Sequence, residues 1–369
     1  MRSGITLKVP VSGQLVDHRE KEAVANVDMF GSSVVPEFER AFAKFMGYKY
    51  GVFVNSGSSA NLLLLGSRDF DSPPLVSGCS FPTTINPLIQ SGHRPYLVDI
   101  ELGTYLPKQV DVACHFLGNF CYSGDVLDSC DGMFPGKDIR SCSFSFYPAH
   151  FMTTCEGGMI CTNSSNEYMK YKSLRDWGRA CWCEPGVDDT CGHRFDHQVD
   201  GIEYDHKYTY ARIGYNLKAT ELQAAMGLVQ LSKLPAFIEQ RIINFNYLYA
   251  ALLKLEDFFI MPKSTRVNTP WFGFPLTLRD NCTFTRREIT MYLESQGIAT
   301  RLMFGGNITR QPAYHALKLY HDPLPNCDKV MKDGFWFGCW HGLNQDQLDY
   351  TIETIYDFVN GNRETARTE

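Results

Sequence analysis

Tyr50-Gly-Val-Phe-Val-Asn-Ser-Gly-Ser-Ser-Ala-Asn-Leu-Leu-Leu-Leu65 reads as a strand, a turn of small residues and a helix. Tyr50–Val54 is built from aromatic and β-branched residues, the composition of a strand. Asn55–Ser59 supplies short polar side chains that cap a helix N-terminus, and Ala60 to Leu65 carries the helix on. A strand feeding a helix in this way is the unit of an α/β protein. The backbone N–H groups of such a turn, with the helix dipole behind them, suit a phosphate. The same residues also suit a plain helix cap.

The pattern continues on both sides. Pro36 to Met46 places Phe38, Phe42 and Phe45 on one helical face, and further strands are expected at 95–99, 141–145 and 158–161. The turn-rich stretch 175–205 has no periodicity. A long helical segment from Thr220 to about Leu255, with Pro235 as a break or kink, links two domains. Beyond it come a strand at 271–278, a helix at 285–295 and a closing helix at 345–360. The expected architecture is therefore a large α/β domain with a mainly parallel sheet, residues 1–240. It includes an N-terminal arm and the cysteine-rich loop 175–205. A small C-terminal α+β domain, residues 241–369, follows.

The chain has 369 residues, 44% hydrophobic and 21% charged, which excludes a disordered polypeptide. Its net charge of −6 gives no electrostatic footprint for nucleic acid or an anionic membrane. No apolar run reaches the roughly 18 residues of a membrane span. The start of the chain lacks the apolar core of a signal peptide, so a cytoplasmic protein is expected.

The cysteine count is 13, odd and high for a compartment that keeps thiols reduced. Cys79, Cys114, Cys142, Cys155, Cys161, Cys282, Cys327 and Cys339 lie singly in apolar or strand-like surroundings, as small buried hydrophobes do. Cys181, Cys183 and Cys191 are crowded into one irregular loop, which is how ligands are presented.

Ser143-Phe-Ser-Phe-Tyr-Pro-Ala-His-Phe-Met-Thr-Thr-Cys-Glu-Gly-Gly158 resembles the cofactor-lysine motif of the DegT/DnrJ/EryC1/StrS sugar aminotransferases, pyridoxal-phosphate enzymes of fold type I. His150 stands where the lysine belongs. The resemblance extends through Asn55–Asn61, Arg175–Arg179, Tyr215–Leu217, Trp271–Pro275 and Thr300–Pro312. Members with that lysine-to-histidine change are nucleotide-sugar 3-dehydrases. They hold pyridoxamine phosphate without a covalent bond and remove the C3 hydroxyl of a 4-keto-6-deoxyhexose. For this chain the resemblance implies a CDP-linked sugar and 3,6-dideoxysugar synthesis for the O-antigen of lipopolysaccharide.

Site roles carry over on the same terms. Gly57, Ser58 and Ser59 would hold the cofactor phosphate, with Ser145 adding a hydroxyl. Asn216 would reach the phosphate of a second subunit, implying a homodimer. Phe81 would stack on the pyridine ring, Asp128 would pair with the pyridinium nitrogen, and Asp131 and Tyr147 would line the pocket. Imidazole cannot anchor the cofactor, but it titrates near neutrality and shuttles protons. His150 is therefore read as the catalytic base.

Net deoxygenation also needs two electrons. Cys181-x-Cys183-x7-Cys191, with Cys130 two residues after Asp128, resembles the ligand set of the iron–sulfur subgroup. A 2Fe-2S cluster is implied, fed by an NADH-dependent flavin iron–sulfur reductase. By ligand type alone, zinc remains open. Arg301 and Arg310 are candidates for the nucleotide diphosphate, and they suit ion pairs equally well.

One departure stands out. Only eight residues separate Asn119 from Asp128, too few for a parallel crossover of roughly a dozen or more, so a strand and helix are expected to be missing or pared down. The rival readings are a cluster-free GDP-sugar 3-dehydratase regenerated by glutamate, an ordinary sugar aminotransferase, and an inactive binding scaffold.

Overall fold

The computed structural model describes residues 8–133, 139–183 and 189–368. The chain forms two compact units, and each is discontinuous in sequence. One comprises Val16–Asp69 and Asp125–Leu234; the other takes the residues up to Leu15, Phe70–Gly124 and the chain from Pro235 onward. Compactness thus groups the chain differently from a single cut at residue 240.

In the first unit, helix Val34–Met46 buries Phe38 and Phe42 completely against the strands. Phe38 meets Phe53 edge-on at 5.0 Å, and Phe42 meets Phe144 and Phe146 at 5.2 and 4.9 Å. Each buried ring contributes about 1.5–3 kcal/mol. Phe45, expected on the same face, is only half-buried, and Met46 fills the core in its place. Strand order is Tyr50–Val54, Gly158–Thr162, Ser141–Ser145, Val126–Asp128. The first two pairings are antiparallel and the last is parallel.

A buried ion pair ties three of these elements together. Arg175, at the end of helix Ser165–Arg175, donates to Glu39 of helix Val34–Met46 and to the carbonyl of Phe53 at 2.8 Å. Glu39 accepts in turn from Phe53 N at 2.8 Å.

The second unit contains parallel strands in the order Val112–Cys114, Leu75–Ser77, Tyr96–Val98, Tyr320–His321. Its antiparallel sheet runs Phe259–Ile260, Gly273–Leu278, Gly334–Gly338, Thr300–Arg301. Helix Glu221–Leu252 contains Pro235 without ending there, so the expected break is not observed. The short link after Cys114 carries one 3-10 turn, Phe116–Gly118, yet Val126–Asp128 still forms a strand. The missing crossover helix has therefore not cost the chain the strand that bears Asp128. No described helix is long and apolar enough to cross a membrane.

Candidate active site

Strand Ser141–Ser145 alternates its side chains. Cys142 and Phe144 face one way, and Ser141, Ser143 and Ser145 face the other, toward helix Gly57–Gly66. Ser143 Oγ donates to Asn61 Oδ1. Ser145 lies against Gly57, where an added Cβ would sit 2.5 Å from Ser145 Cβ and 2.8 Å from its Oγ. At Gly158, a Cβ would fall 2.3 Å from Ser56 O. Both glycines are thus required for the helix N-terminus to seat on the strand ends. Gly57→Ala is expected to destabilise the protein by about 1–3 kcal/mol through overpacking, measured by urea denaturation against wild type.

Ser56 caps this helix by accepting from Ser59 N at 3.0 Å, and Ser59 Oγ donates to Asn55 Oδ1 at 2.6 Å. Ser59 N–H, expected to hold a phosphate, is therefore directed at Ser56, while Ser58 is exposed beside it. The turn is a capped helix N-terminus at which Ser58 is exposed.

Asp128 ends its strand beside Ser143 and is 2% exposed. Its carboxylate accepts from Asn61 Nδ2 at 2.7 Å and from Cys130 N at 3.1 Å. Asn61 bridges Asp128 to Ser143, a positioning role that sequence reasoning missed. The available signal was one polar side chain interrupting the run Ala60-Asn-Leu-Leu-Leu-Leu65.

The strand leads into the turn Tyr147–His150, closed by His150 N donating to Tyr147 O at 2.9 Å, while Ser145 Oγ accepts from Tyr147 N at 3.3 Å. His150 Nδ1 stands 3.7 Å from Asp131 Oδ1, both side chains largely buried. A carboxylate at this distance steadies the positive charge that imidazole acquires on taking a proton. Tyr147 is half exposed, with its ring edge-on to His150 at 6.3 Å. Asn216 is exposed on a segment stitched to the end of helix Ser165–Arg175 and to the capping turn. Tyr215 N donates to Leu174 O at 2.7 Å, and Asn55 N to Leu217 O at 2.9 Å.

The structure brings the three loop cysteines together. Sulfur atoms of Cys181 and Cys183 and a ring nitrogen of His206 lie within 4.8 Å of one another, and Cys191 Sγ is 3.6 Å from His206 Nε2. Burial would raise the Cys183 thiol, but hydrogen bonds from Thr190, Cys191 and Cys181 bring it down to about 7. Burial and the neighbouring thiolate push Cys181 and Cys191 up. Among the described residues, the group within 4.8 Å includes neither Cys191 nor Cys130; Cys130 N donates to Asp128 Oδ1 at 3.1 Å.

Three candidates belong to the other unit. Phe81 precedes helix Pro82–Gln90, is half exposed and packs edge-on to Phe304 at 5.7 Å. Arg301 is exposed and donates to Thr300 O at 2.7 Å. Arg310 is held by both carboxylate oxygens of Asp328, the ion-pair alternative for this residue.

The first unit's residues fit a phosphorylated pyridine cofactor. The Gly57 cradle, too tight for any side chain, offers a helix N-terminus to a phosphate, and a buried, oriented carboxylate at Asp128 suits a protonated ring nitrogen. Comparison with known proteins agrees. The chain is 39% identical to a dTDP-4-dehydro-2,6-dideoxy-D-glucose 3-dehydratase of Saccharopolyspora spinosa, over 94% of this chain and 86% of that protein. It is 36% identical to the lipopolysaccharide biosynthesis protein RfbH of Salmonella typhimurium, over 96% and 92% of the two chains. Among solved structures, E. coli GDP-4-keto-6-deoxy-D-mannose-3-dehydratase with bound hydrated PLP superposes with a TM-score of 0.80 at 25% identity, over 95% of this chain and all of that one. The fold is that of the fold type I pyridoxal-phosphate enzymes. The profile of the DegT/DnrJ/EryC1/StrS aminotransferase family matches residues 19–115 and 136–356, and the chain belongs to that family.

Proposed function

We propose that the chain is a nucleotide-sugar 3-dehydratase of deoxysugar biosynthesis that works with non-covalently held pyridoxamine phosphate. The observation that carries this reading is His150, set beside Asp131 directly after the strand whose Ser145 meets the helix N-terminus at Gly57. No lysine lies between Ser145 and Glu156 to hold a cofactor covalently. The name of the relative that is 39% identical supports the same reaction class, and that of the 36% identical one supports a place in lipopolysaccharide biosynthesis.

Bound cofactor would supply an amine for the C4 ketone and an electron sink that lets the C3 hydroxyl leave. The chain's own residues do the rest. Gly57, Ser58, Ser59 and Ser145 bind the phosphate, with Asn216 reaching the second subunit of a homodimer. Asn61 orients Asp128 toward the ring nitrogen, and Phe81 and Tyr147 cover the ring. His150 moves a proton at its imidazole while Asp131 holds the resulting charge. Arg301 and Arg310 are assigned to the nucleotide diphosphate, Arg310 after exchange from Asp328.

The reading extends to a 2Fe-2S cluster on the cysteine loop, with Cys130, Cys181, Cys183 and Cys191 as its ligands. A flavin iron–sulfur reductase would feed it with electrons from NADH, and a CDP-linked 4-keto-6-deoxyhexose would be the substrate, for 3,6-dideoxysugar synthesis. The deciding experiment is the iron and acid-labile sulfide content of anaerobically purified protein, with EPR after reduction. About two irons per chain and a signal lost on Cys183→Ser are expected. Protein that stays iron-free after anaerobic reconstitution would overturn the cluster, leaving a glutamate-regenerated 3-dehydratase. Turnover with CDP-, dTDP- and GDP-linked 4-keto-6-deoxyhexoses then identifies the nucleotide.

A further inference from the structure

We propose that the cavity in the second unit between the 3-10 turn Ile308–Arg310 and helix Pro325–Asp333 holds the phosphates of a nucleotide, with Lys318 and His315 joining Arg310 as the groups that grip them. The inference deepens the assignment of Arg310 to a nucleotide diphosphate, and its test separates the two.

The cavity encloses about 720 Å³, inside the roughly 300–1,000 Å³ range of small-molecule sites. Its lining has two chemistries. Leu319, Pro323, Leu324 and Pro325 form an apolar wall of the kind a nucleoside packs on, with both leucines buried. Arg310, His315, Lys318 and His321 crowd the same space, and Asp328 is the only carboxylate among the described residues that line it. In a chain of net charge −6, such a concentration of positive groups creates a local field for anions.

Arg310 alone is a weak anion receptor. Asp328 takes its Nε and Nη2, and the carboxylate is braced by Asn307 Nδ2 at 2.7 Å. The Arg310 guanidinium holds that carboxyl below the usual carboxylate range, so it stays ionised and keeps part of the positive charge engaged. Lys318 and His315 are not engaged. Among the described residues neither the ammonium nor the imidazole has a hydrogen-bond or ion-pair partner, and both residues are exposed at the cavity.

Backbone contacts fix both positions. Lys318 sits at φ 47°, a left-handed conformation that glycine adopts without strain and lysine does not. Its carbonyl accepts from Arg94 Nη2, and Arg94 also bonds Tyr320 Oη at 3.1 Å and lies over that ring at 4.0 Å. The strain is accounted for by the place it gives the ammonium. His315 ends the short helix Pro312–His315, which Tyr314 anchors by donating from its hydroxyl to Asn86 Oδ1 at 2.6 Å. A lysine point charge beside an arginine fork is a phosphate-binding combination. The phosphates come either from the substrate's own diphosphate or from a free nucleotide that regulates the enzyme, and the recognition chemistry is the same.

Isothermal titration calorimetry of the full chain, with and without pyridoxamine phosphate, measures binding of CDP, dTDP and GDP. Lys318→Gly is the decisive variant, because it removes the ammonium and keeps the backbone conformation. It should weaken the nucleotide that wild type binds best by about tenfold, with no fall in melting temperature. Lys318→Arg should keep most of the affinity, and His315→Ala should lose a smaller factor. Wild type that binds none of the three, or Lys318→Gly that binds within about twofold of wild type, would overturn the assignment. Kinetics identify the source. For the substrate's own diphosphate, Lys318→Gly raises KM by about tenfold and the free nucleotide competes with substrate. For a regulatory nucleotide, the free nucleotide changes the rate without competing, and that response is what Lys318→Gly loses. Because calorimetry needs no turnover, an inactive chain that binds nucleotide through Lys318 would end the dehydratase reading alone. An active chain whose nucleotide binding ignores Lys318 would end this one alone.

Discussion

His150→Asn should lower kcat by about 10²–10⁴-fold, the range for removal of a positioned acid–base group, while leaving pyridoxamine phosphate affinity within a few fold of wild type. Asparagine keeps the size of the side chain and one hydrogen-bonding edge but cannot take a proton. The contacts that hold the cofactor in the proposed site, at Gly57, Ser145 and Asp128, do not pass through the imidazole. Turnover of the 4-keto-6-deoxyhexose and a fluorescence titration with pyridoxamine phosphate separate the two effects. A parallel fall in melting temperature and cofactor binding would mark His150 as structural. Asp131→Asn should produce a smaller loss in kcat, since it removes only the charge 3.7 Å from Nδ1.

Arg175→Ala should cost about 3–5 kcal/mol, because it leaves the Glu39 carboxylate buried without its cation. Side chains of Arg175 and Glu39 are 4% and 6% exposed, so water cannot compensate. At about 2–4 °C per kcal/mol for a protein of this size class, the melting temperature should fall by about 6–20 °C. Replacing the pair together, Arg175→Met with Glu39→Leu, should recover only part of the loss. Arg175 and Glu39 also satisfy the carbonyl and N–H of Phe53, and those groups would remain unpaired in the double variant. A double-mutant cycle in urea gives the coupling directly. Additivity of the two single variants would contradict the ion-pair account.

Regular elements with strong local signals were legible in advance. Strand Ser141–Ser145 and the strand Tyr50–Val54 begin and end where their composition changes, and Thr285 caps helix Arg286–Ser295 through a reciprocal bond with Glu288. The hairpin His197–Val199 with Ile202–Tyr204 was not legible, because most of its residues are exposed and impose no alternation. Asp128, His150 and the glycine turn were found through a family motif. The lone polar Asn61 in its apolar run was visible, but its partner Asp128 was not, since that contact spans two elements. The approach of His206 to Cys191 was missed for the same reason: 15 positions separate them, and the hairpin between them and the Arg194–Asp205 contact close the gap.

The discontinuity of the first unit bears on its birth at the ribosome. Among the described strands, Tyr50–Val54 pairs along its length with Gly158–Thr162, which is translated roughly a hundred residues later. At about 5–20 residues per second, the nascent chain carries an unpaired, apolar strand through the whole synthesis of the intervening segment. Productive folding should therefore depend on holdase chaperones or on slowed initiation more than on the intrinsic stability of either unit. Neither unit can be obtained simply by truncating the gene.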